Sequence, residues 1–307
     1  MVDLLLLILP GVIWGASFLF IAEGLEAIGP NGVTFVRIFV GFLTLSLIPA
    51  ARRPIVRSDR AATVVLGVLW LAFPLSMFPL AEQHVSSALT GMLNGATPIC
   101  AAAVASIMAR RLPSRTVLTG LAVGLLGAVI IALPDFSNGG GSGNQAWGIL
   151  LIVAAIISYG IAINLARPLQ QRNAALSVTW HALAVAALLT APLGLPSLLD
   201  AHWTPRALAS LLTLGAFGTA IAQVLTATAA GRMGATAAST TSFLIPVVAL
   251  ALGVGIRREH VAWLSIVGAG ICLSGAWIVR QARMAEERAA AVQANAASQS
   301  VRRQAIS

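Results

Sequence analysis

Lysine is absent from this sequence: the nineteen basic residues are all arginine, set against ten acidic ones. Charge of either sign is scarce, 9% of the 307 residues, where soluble domains carry about 25%. So few charges could not cover so apolar a core in water, which excludes an ordinary soluble globular domain. With so much alanine beside it, the choice of arginine over lysine reads as codon usage of a GC-rich genome rather than chemistry. The net charge of +9 does not suggest nucleic acid, because the arginines sit between apolar runs. There are two cysteines, Cys100 and Cys272, both within apolar runs. That excludes a secreted-type disulfide framework and leaves two small buried side chains. The four histidines, His84, His181, His202 and His260, are too scattered for a metal set. No Gly-x-Ser-x-Gly elbow or phosphate-binding loop is present, so neither a cofactor nor an enzymatic activity is expected.

What the chain has is apolar length: 58% of its residues are hydrophobic. A membrane span needs about 20 apolar residues. Ten runs qualify as candidates: 4–22, 30–49, 61–81, 85–108, 116–134, 147–166, 175–195, 207–230, 234–256 and 261–279. Eight of them carry no Asp, Glu, Arg or His. The first lacks a basic leading region and runs on into a second, so it is expected to remain as a span rather than be removed as a signal peptide. Residues 135–146 hold the stretch Ser137-Asn138-Gly139-Gly140-Gly141-Ser142-Gly143-Asn144, a flexible linker by composition. Residues 281–307 form a polar tail, expected to extend the last helix and then give way to disorder.

Arginine gives the orientation. The second, fourth, sixth and eighth connections and the tail hold fifteen arginines; the odd-numbered connections hold only Arg206, Arg257 and Arg258. Cytoplasmic loops are the arginine-rich ones, so both termini are expected in the cytoplasm and the number of spans is even. The halves also repeat. Under a shift of 148 residues, Pro98 falls on Pro246, Asn94 on Ser242, Arg110 on Arg258, Gly120 on Gly268 and Gly127 on Gly275. Under a shift of 145 near the start of each half, Trp14-Gly15 falls on Tyr159-Gly160 and Val33-Thr34-Phe35 on Val178-Thr179-Trp180. The expected fold is an all-α integral membrane bundle of ten transmembrane helices. Residues 1–134 and 147–280 are its two five-helix repeats, the second inverted because five is odd. Inverted repeats suit transporters that alternate access around a midplane site.

The set of motifs resembles the EamA-type branch of the drug/metabolite transporter superfamily. It is carried by Trp14-Gly15-Ala16-Ser17-Phe18, by Val36-Arg37 after Gly29-Pro30, by Pro98 and Pro246, by Arg258-Glu259, and by the glycines of spans five and ten. One departure is the Arg111-Leu112-Pro113 stretch, where members often carry Glu. The resemblance implies export or exchange of small metabolites, often amino acids, across the cytoplasmic (inner) membrane.

The few polar residues inside the runs form the candidate cavity. Arg37 lies about 10 Å into the second span at about 1.5 Å per residue. It is either a cavity cation for a substrate carboxylate or a side chain reaching for the outer headgroups. His181 is the embedded group able to bind a proton near neutral pH, making protons a candidate partner; the plain alternative is a neutral ring bonded to a backbone carbonyl. Trp14 and Ser17, Thr90 and Asn94, Gln223, and Ser239 and Ser242 recur on helical faces, either as helix–helix contacts or as a wet lining. Tyr159 matches Trp14, and Pro98 and Pro246 are candidate helix hinges. The expectation is a secondary transporter of small metabolites, amino acids or related amphipathic compounds, acting as a monomer or homodimer. No Asp or Glu falls inside a run, which argues against strong coupling through an acid. The alternatives are a lipid or lipid-headgroup flippase, or a membrane-embedded lipid enzyme.

Overall fold

The computed structural model describes residues 2–110, 112–137, 143–233 and 239–304. Every regular element among them is helical. Eight helices are long and apolar enough to cross a membrane, and two shorter apolar ones, Pro30–Ser46 and Thr241–Gly255, stand with them. In chain order they are the first helix (Val2–Leu25), the second (Pro30–Ser46), the third (60–81), a fourth in two pieces (Ser87–Asn94 and Thr97–Met108), and the fifth (Arg115–Ser137). Then come the sixth (Gly143–Arg172), the seventh (Ala175–Ser197), the eighth (205–233), the ninth (Leu244–Gly255, entered by a tight turn over Ser239–Phe243) and the tenth (Trp263–Gln304).

Large apolar side chains face outward, among them Leu125, Leu126 and Val129 on the fifth helix and Leu188 and Leu193 on the seventh. In water such a surface would drive association; in a bilayer it is the face the lipid requires. The chain is a multi-pass membrane protein.

The fifth helix runs on to Ser137 and the sixth starts at Gly143, so helix enters the 135–146 stretch from both sides; Asn138 to Ser142 lie outside the described residues. The tail continues the tenth helix to Gln304. Arg283 ties its start to the fourth helix, donating to Ala102 O (2.9 Å) and Ser106 Oγ (3.0 Å).

The most extensive packing always joins one of the first five helices to one of the last five: fifth with tenth, second with seventh, first with ninth, fourth with sixth. The fifth and tenth meet through glycines. A Cβ on Gly120 would lie 2.9 Å from Gly275 O, and one on Gly268 would lie 2.9 Å from Gly127 O. A Cβ on Gly127 would overlap the backbone of Cys272, and one on Gly275 that of Gly124. Only glycine permits two helix backbones to approach this closely.

Positions related by the 148-residue shift adopt matching backbones. Arg110 and Arg258, at φ 49° and 56°, are the non-glycine residues with positive φ among those described. The third and eighth helices each widen into a π-type turn, at Gly67–Ala72 and Leu214–Ile221. In the third, Phe73 N–H bonds Val68 O instead of Leu69 O, next to Pro74, which has no N–H to give. The released Leu69 carbonyl accepts from Ser158 Oγ of the sixth helix at 2.6 Å. In the eighth, Ala222 N–H bonds Phe217 O, and the released Gly218 carbonyl accepts from Trp14 Nε1 of the first helix at 3.0 Å.

Candidate functional site

Three of the expected site residues converge on the wide turn of the eighth helix. Trp14 bonds Gly218 O, and Ser17 is buried beside Gly218, its hydroxyl satisfied by Ile13 O at 3.0 Å. Arg37, only 6% exposed, donates through Nε to Thr219 Oγ1 at 3.1 Å. Thr219 in turn donates to Leu214 O five residues back, the spacing a π-type turn provides. None of the hydrogen bonds among the described residues uses the two terminal nitrogens of Arg37. Tyr159 completes this group: its ring lies 5.9 Å from that of Phe78, and it stands within electrostatic range of Arg37.

Among the described residues, none of the other expected side chains hydrogen-bonds to that group. Thr90 is fully buried and bonds Ser86 O within its own helix. Asn94 Oδ1 accepts from Thr97 Oγ1 at 3.1 Å, across the break in the fourth helix. His181 Nδ1 sits 2.9 Å from Ser177 O with its ring edge-on to Trp180. Gln223 and Ser242 are half-buried; the side chain of Ser239 lies outside the described residues. Pro98 and Pro246 sit in the first turns of Thr97–Met108 and Leu244–Gly255, not in the middle of a helix. There the missing N–H has no helical partner to lose, and the break falls before the proline.

A feature that sequence reasoning missed is a charged cluster at the end of the odd-numbered connections. Glu23 is buried inside the first helix, and Glu82 follows the last residue of the third. Arg206 pairs with Glu23; Arg257 donates to Glu23 Oε1 (2.9 Å) and Glu26 Oε1 (3.0 Å). Burial acts to lower the Arg257 pKa, but its bonds to Glu26 and Glu23 outweigh this and hold it above the ordinary value. Glu259 accepts from Ser87 N (3.2 Å), Ser87 Oγ (2.7 Å) and Ala88 N (2.9 Å), capping the fourth helix where its first N–H groups lack partners. This corrects the expectation that no acid is embedded: the carboxylates of Glu23, Glu82 and Glu259 are all drawn into the protein. The opposite end is tied by Arg172 and Asn173, which both bind Asp59 at 2.7 Å.

A cavity of about 350 Å³ opens in this cluster, walled by Ala22, Leu25, Glu26, Glu82, Gln83 and Arg257. None of the twelve residues expected from sequence lines it. A hollow of about 290 Å³ lies at the same end, beside Ser86, Met92 and His260.

The EamA-like transporter family model matches residues 1–133 and 146–281, the two segments that the helix pairing relates. The chain belongs to the EamA-like transporter family. Among relatives of this EamA-like chain is a protein of Streptantibioticus cattleyicolor named "Probable terminal-alkyne amino-acid exporter", 25% identical over 92% of this chain and 95% of its own. An "Uncharacterized transporter" of Archaeoglobus fulgidus is 21% identical, covering 88% and 95% of the two chains. The "Uncharacterized inner membrane transporter YedA" of Escherichia coli is 25% identical, covering 83% and 84%. A solved structure superimposes with a TM-score of 0.61 over 90% of this chain and 96% of that one, at 14% identity, which is a likeness of fold.

Proposed function

We propose that this EamA-like chain is a secondary transporter that exports or exchanges small carboxylate-bearing metabolites, amino acids foremost, by alternating access. Its ten helices span the cytoplasmic membrane as two inverted five-helix repeats, with both termini in the cytoplasm. The observation that carries this reading is Arg37: a guanidinium deep in an apolar bundle, held by one nitrogen to Thr219 and keeping its other two nitrogens free of hydrogen bonds among the described residues. A buried cation is unfavourable unless it meets an anion. Guanidinium pairs with carboxylate in a two-pronged geometry, which fits the two nitrogens left over. The wide turn of the eighth helix gives a deformable point beside this residue, and the third helix carries a matching turn. The relative named as an amino-acid exporter agrees with the substrate class. Ion pairs at both ends, Arg257 with Glu23 and Arg172 with Asp59, are the contacts that opening would exchange.

Liposomes containing the protein and preloaded with L-leucine test this. Exchange against external leucine is expected, and Arg37→Ala should abolish it while leaving the protein folded. Unchanged exchange in a folded Arg37→Ala variant would overturn the role of Arg37. A flippase would instead move fluorescent phospholipid between leaflets and leave leucine where it is.

A further inference from the structure

The charged cluster at the end of the odd-numbered connections has polar atoms to spare. Arg257 makes both of its hydrogen bonds through Nη1, to Glu23 Oε1 at 2.9 Å and to Glu26 Oε1 at 3.0 Å. Its Nε faces Glu259 Oε1 at 3.6 Å, beyond hydrogen-bond length. Among the described residues, no hydrogen bond uses Arg257 Nη2, Glu26 Oε2 or the Gln83 amide. All three residues line the 350 Å³ cavity, a size in the range of small-molecule sites, about 300–1,000 Å³. Glu26 and Gln83 are exposed and Arg257 is partly so, which leaves their spare atoms open to a ligand. Ala22 and Leu25 form the apolar side of the cavity. They belong to the last turn of the first helix, whose final carbonyls favour a cation. Glu82, the remaining wall residue, has both carboxyl oxygens closed to solvent and offers a ligand no charged atom.

A cation and an acid thus stand side by side, each with an open polar atom, next to an apolar patch. That is the complement of a zwitterion with an apolar side chain. Its carboxylate fits Arg257 Nη2, its ammonium fits Glu26 Oε2, and its side chain lies on Ala22 and Leu25. In an α-amino acid the two charged groups share one carbon, and the contact distance of 3.0 Å between Arg257 and Glu26 suits such close neighbours. Ions of a single charge fit worse. Arg206 and Arg257 balance Glu23 and Glu26, so a lone carboxylate meets the acids and a lone ammonium meets the arginines. We propose that this cavity is a second amino-acid site, separate from Arg37, in which the zwitterion lies antiparallel to the Arg257–Glu26 pair. Glu82 is within electrostatic range of both Arg257 and Arg37, so the two sites are neighbours along the bundle. On the transporter reading, which this step extends, the cavity holds substrate at the outer end of the path from Arg37.

Equilibrium dialysis of labelled L-leucine against the purified full-length protein in dodecyl maltoside tests the site. The wild type is expected to bind two leucines per chain and Arg37→Ala one. Glu26→Gln should lower the wild-type count from two to one. On the Arg37→Ala background it should weaken the remaining binding roughly tenfold or more, because a charged partner is lost. Glu26 is exposed, so its replacement should leave the fold intact, and thermal melts of each variant check this. Isocaproate and isoamylamine, which each lack one of leucine's charges, should bind Arg37→Ala more weakly by a similar factor. Failure of folded Arg37→Ala to bind leucine overturns the proposal, as does binding indifferent to Glu26→Gln. So does displacement of that leucine by a lower concentration of lysophosphatidylethanolamine, which would make a lipid headgroup the occupant. Leucine exchange in liposomes separates the two readings. Arg37-dependent exchange with a single leucine bound per chain overturns the outer site alone. Glu26-dependent binding without exchange supports the outer site and removes the transport of leucine.

Discussion

Trp14 Nε1 donates to Gly218 O, a carbonyl that an ordinary helix would have kept for Ala222 N–H. The wide turn and the indole therefore depend on one another. Trp14→Phe keeps the ring and removes the donor, leaving a buried carbonyl unpaired at a loss of about 1–3 kcal/mol. Ser158→Ala should do the same to Leu69 O in the third helix. Thermal melts in detergent should show both variants destabilised by similar amounts. A neutral Trp14→Phe would mean that water serves the carbonyl as well.

Glu259 serves the fourth helix from the other half of the chain. Glu259→Ala removes the acceptor of Ser87 N, Ser87 Oγ and Ala88 N together. Losing a helix cap lowers stability by about 0.5–2 kcal/mol, and three bonds to a charged group put this variant at the upper end. Glu259→Gln keeps an acceptor oxygen and should recover part of the loss. Hydrogen exchange should localise the change to Ser87–Asn94.

Glycines of the tenth helix and its partner separate packing from propensity. Gly127→Ala places a methyl on the backbone of Cys272, an overpacking worth about 3 kcal/mol or more. Gly270→Ala meets nothing within 4 Å, so the usual helix preference for Ala should raise stability by up to about 1 kcal/mol. Opposite shifts in melting temperature are expected; shifts of the same sign would refute the close approach.

The pH dependence has a definite sign. Burial first, and then Glu259, raise the Glu82 carboxyl above its ordinary value of 4.5, so the folded chain keeps a proton that the unfolded chain releases. The stability this group contributes is complete below that ordinary value and falls as pH rises toward the folded one, by about 1.4 kcal/mol per pH unit. Glu82→Gln should lack this fall. The quantity to measure is the difference between the two melting curves from pH 5 upward. A constant difference would mean that Glu82 is ionised in the fold.

The helices were legible because an apolar run is a property of the chain itself, and eight of the ten runs hold no Asp, Glu, Arg or His. Trp14, Arg37 and Tyr159 stood out because polar or aromatic groups are rare there. The charged cluster did not stand out, for two reasons. Glu82 follows the third apolar run by a single residue, so only tertiary packing tells it from a loop residue. Arg206 and Arg257 counted as stray charges of the wrong side, whereas Glu23 and Glu26 neutralise them. The wide turns left a trace only in Pro74, and nothing in the composition of Leu214–Ile221 marks the second one.

The pairing of fifth with tenth helix bears on how the chain is made. The glycine face of Arg115–Ser137 is completed only by Trp263–Gln304, a helix made well after it. Synthesis at about 5–20 residues per second puts on the order of ten seconds between Ser137 and the arrival of Trp263. Through that interval the sixth to ninth helices arrive and supply the neighbours of the first four, while the fifth still lacks its own. The fifth helix waits in the bundle with its glycine face uncovered, and its packing closes only after both halves have been made.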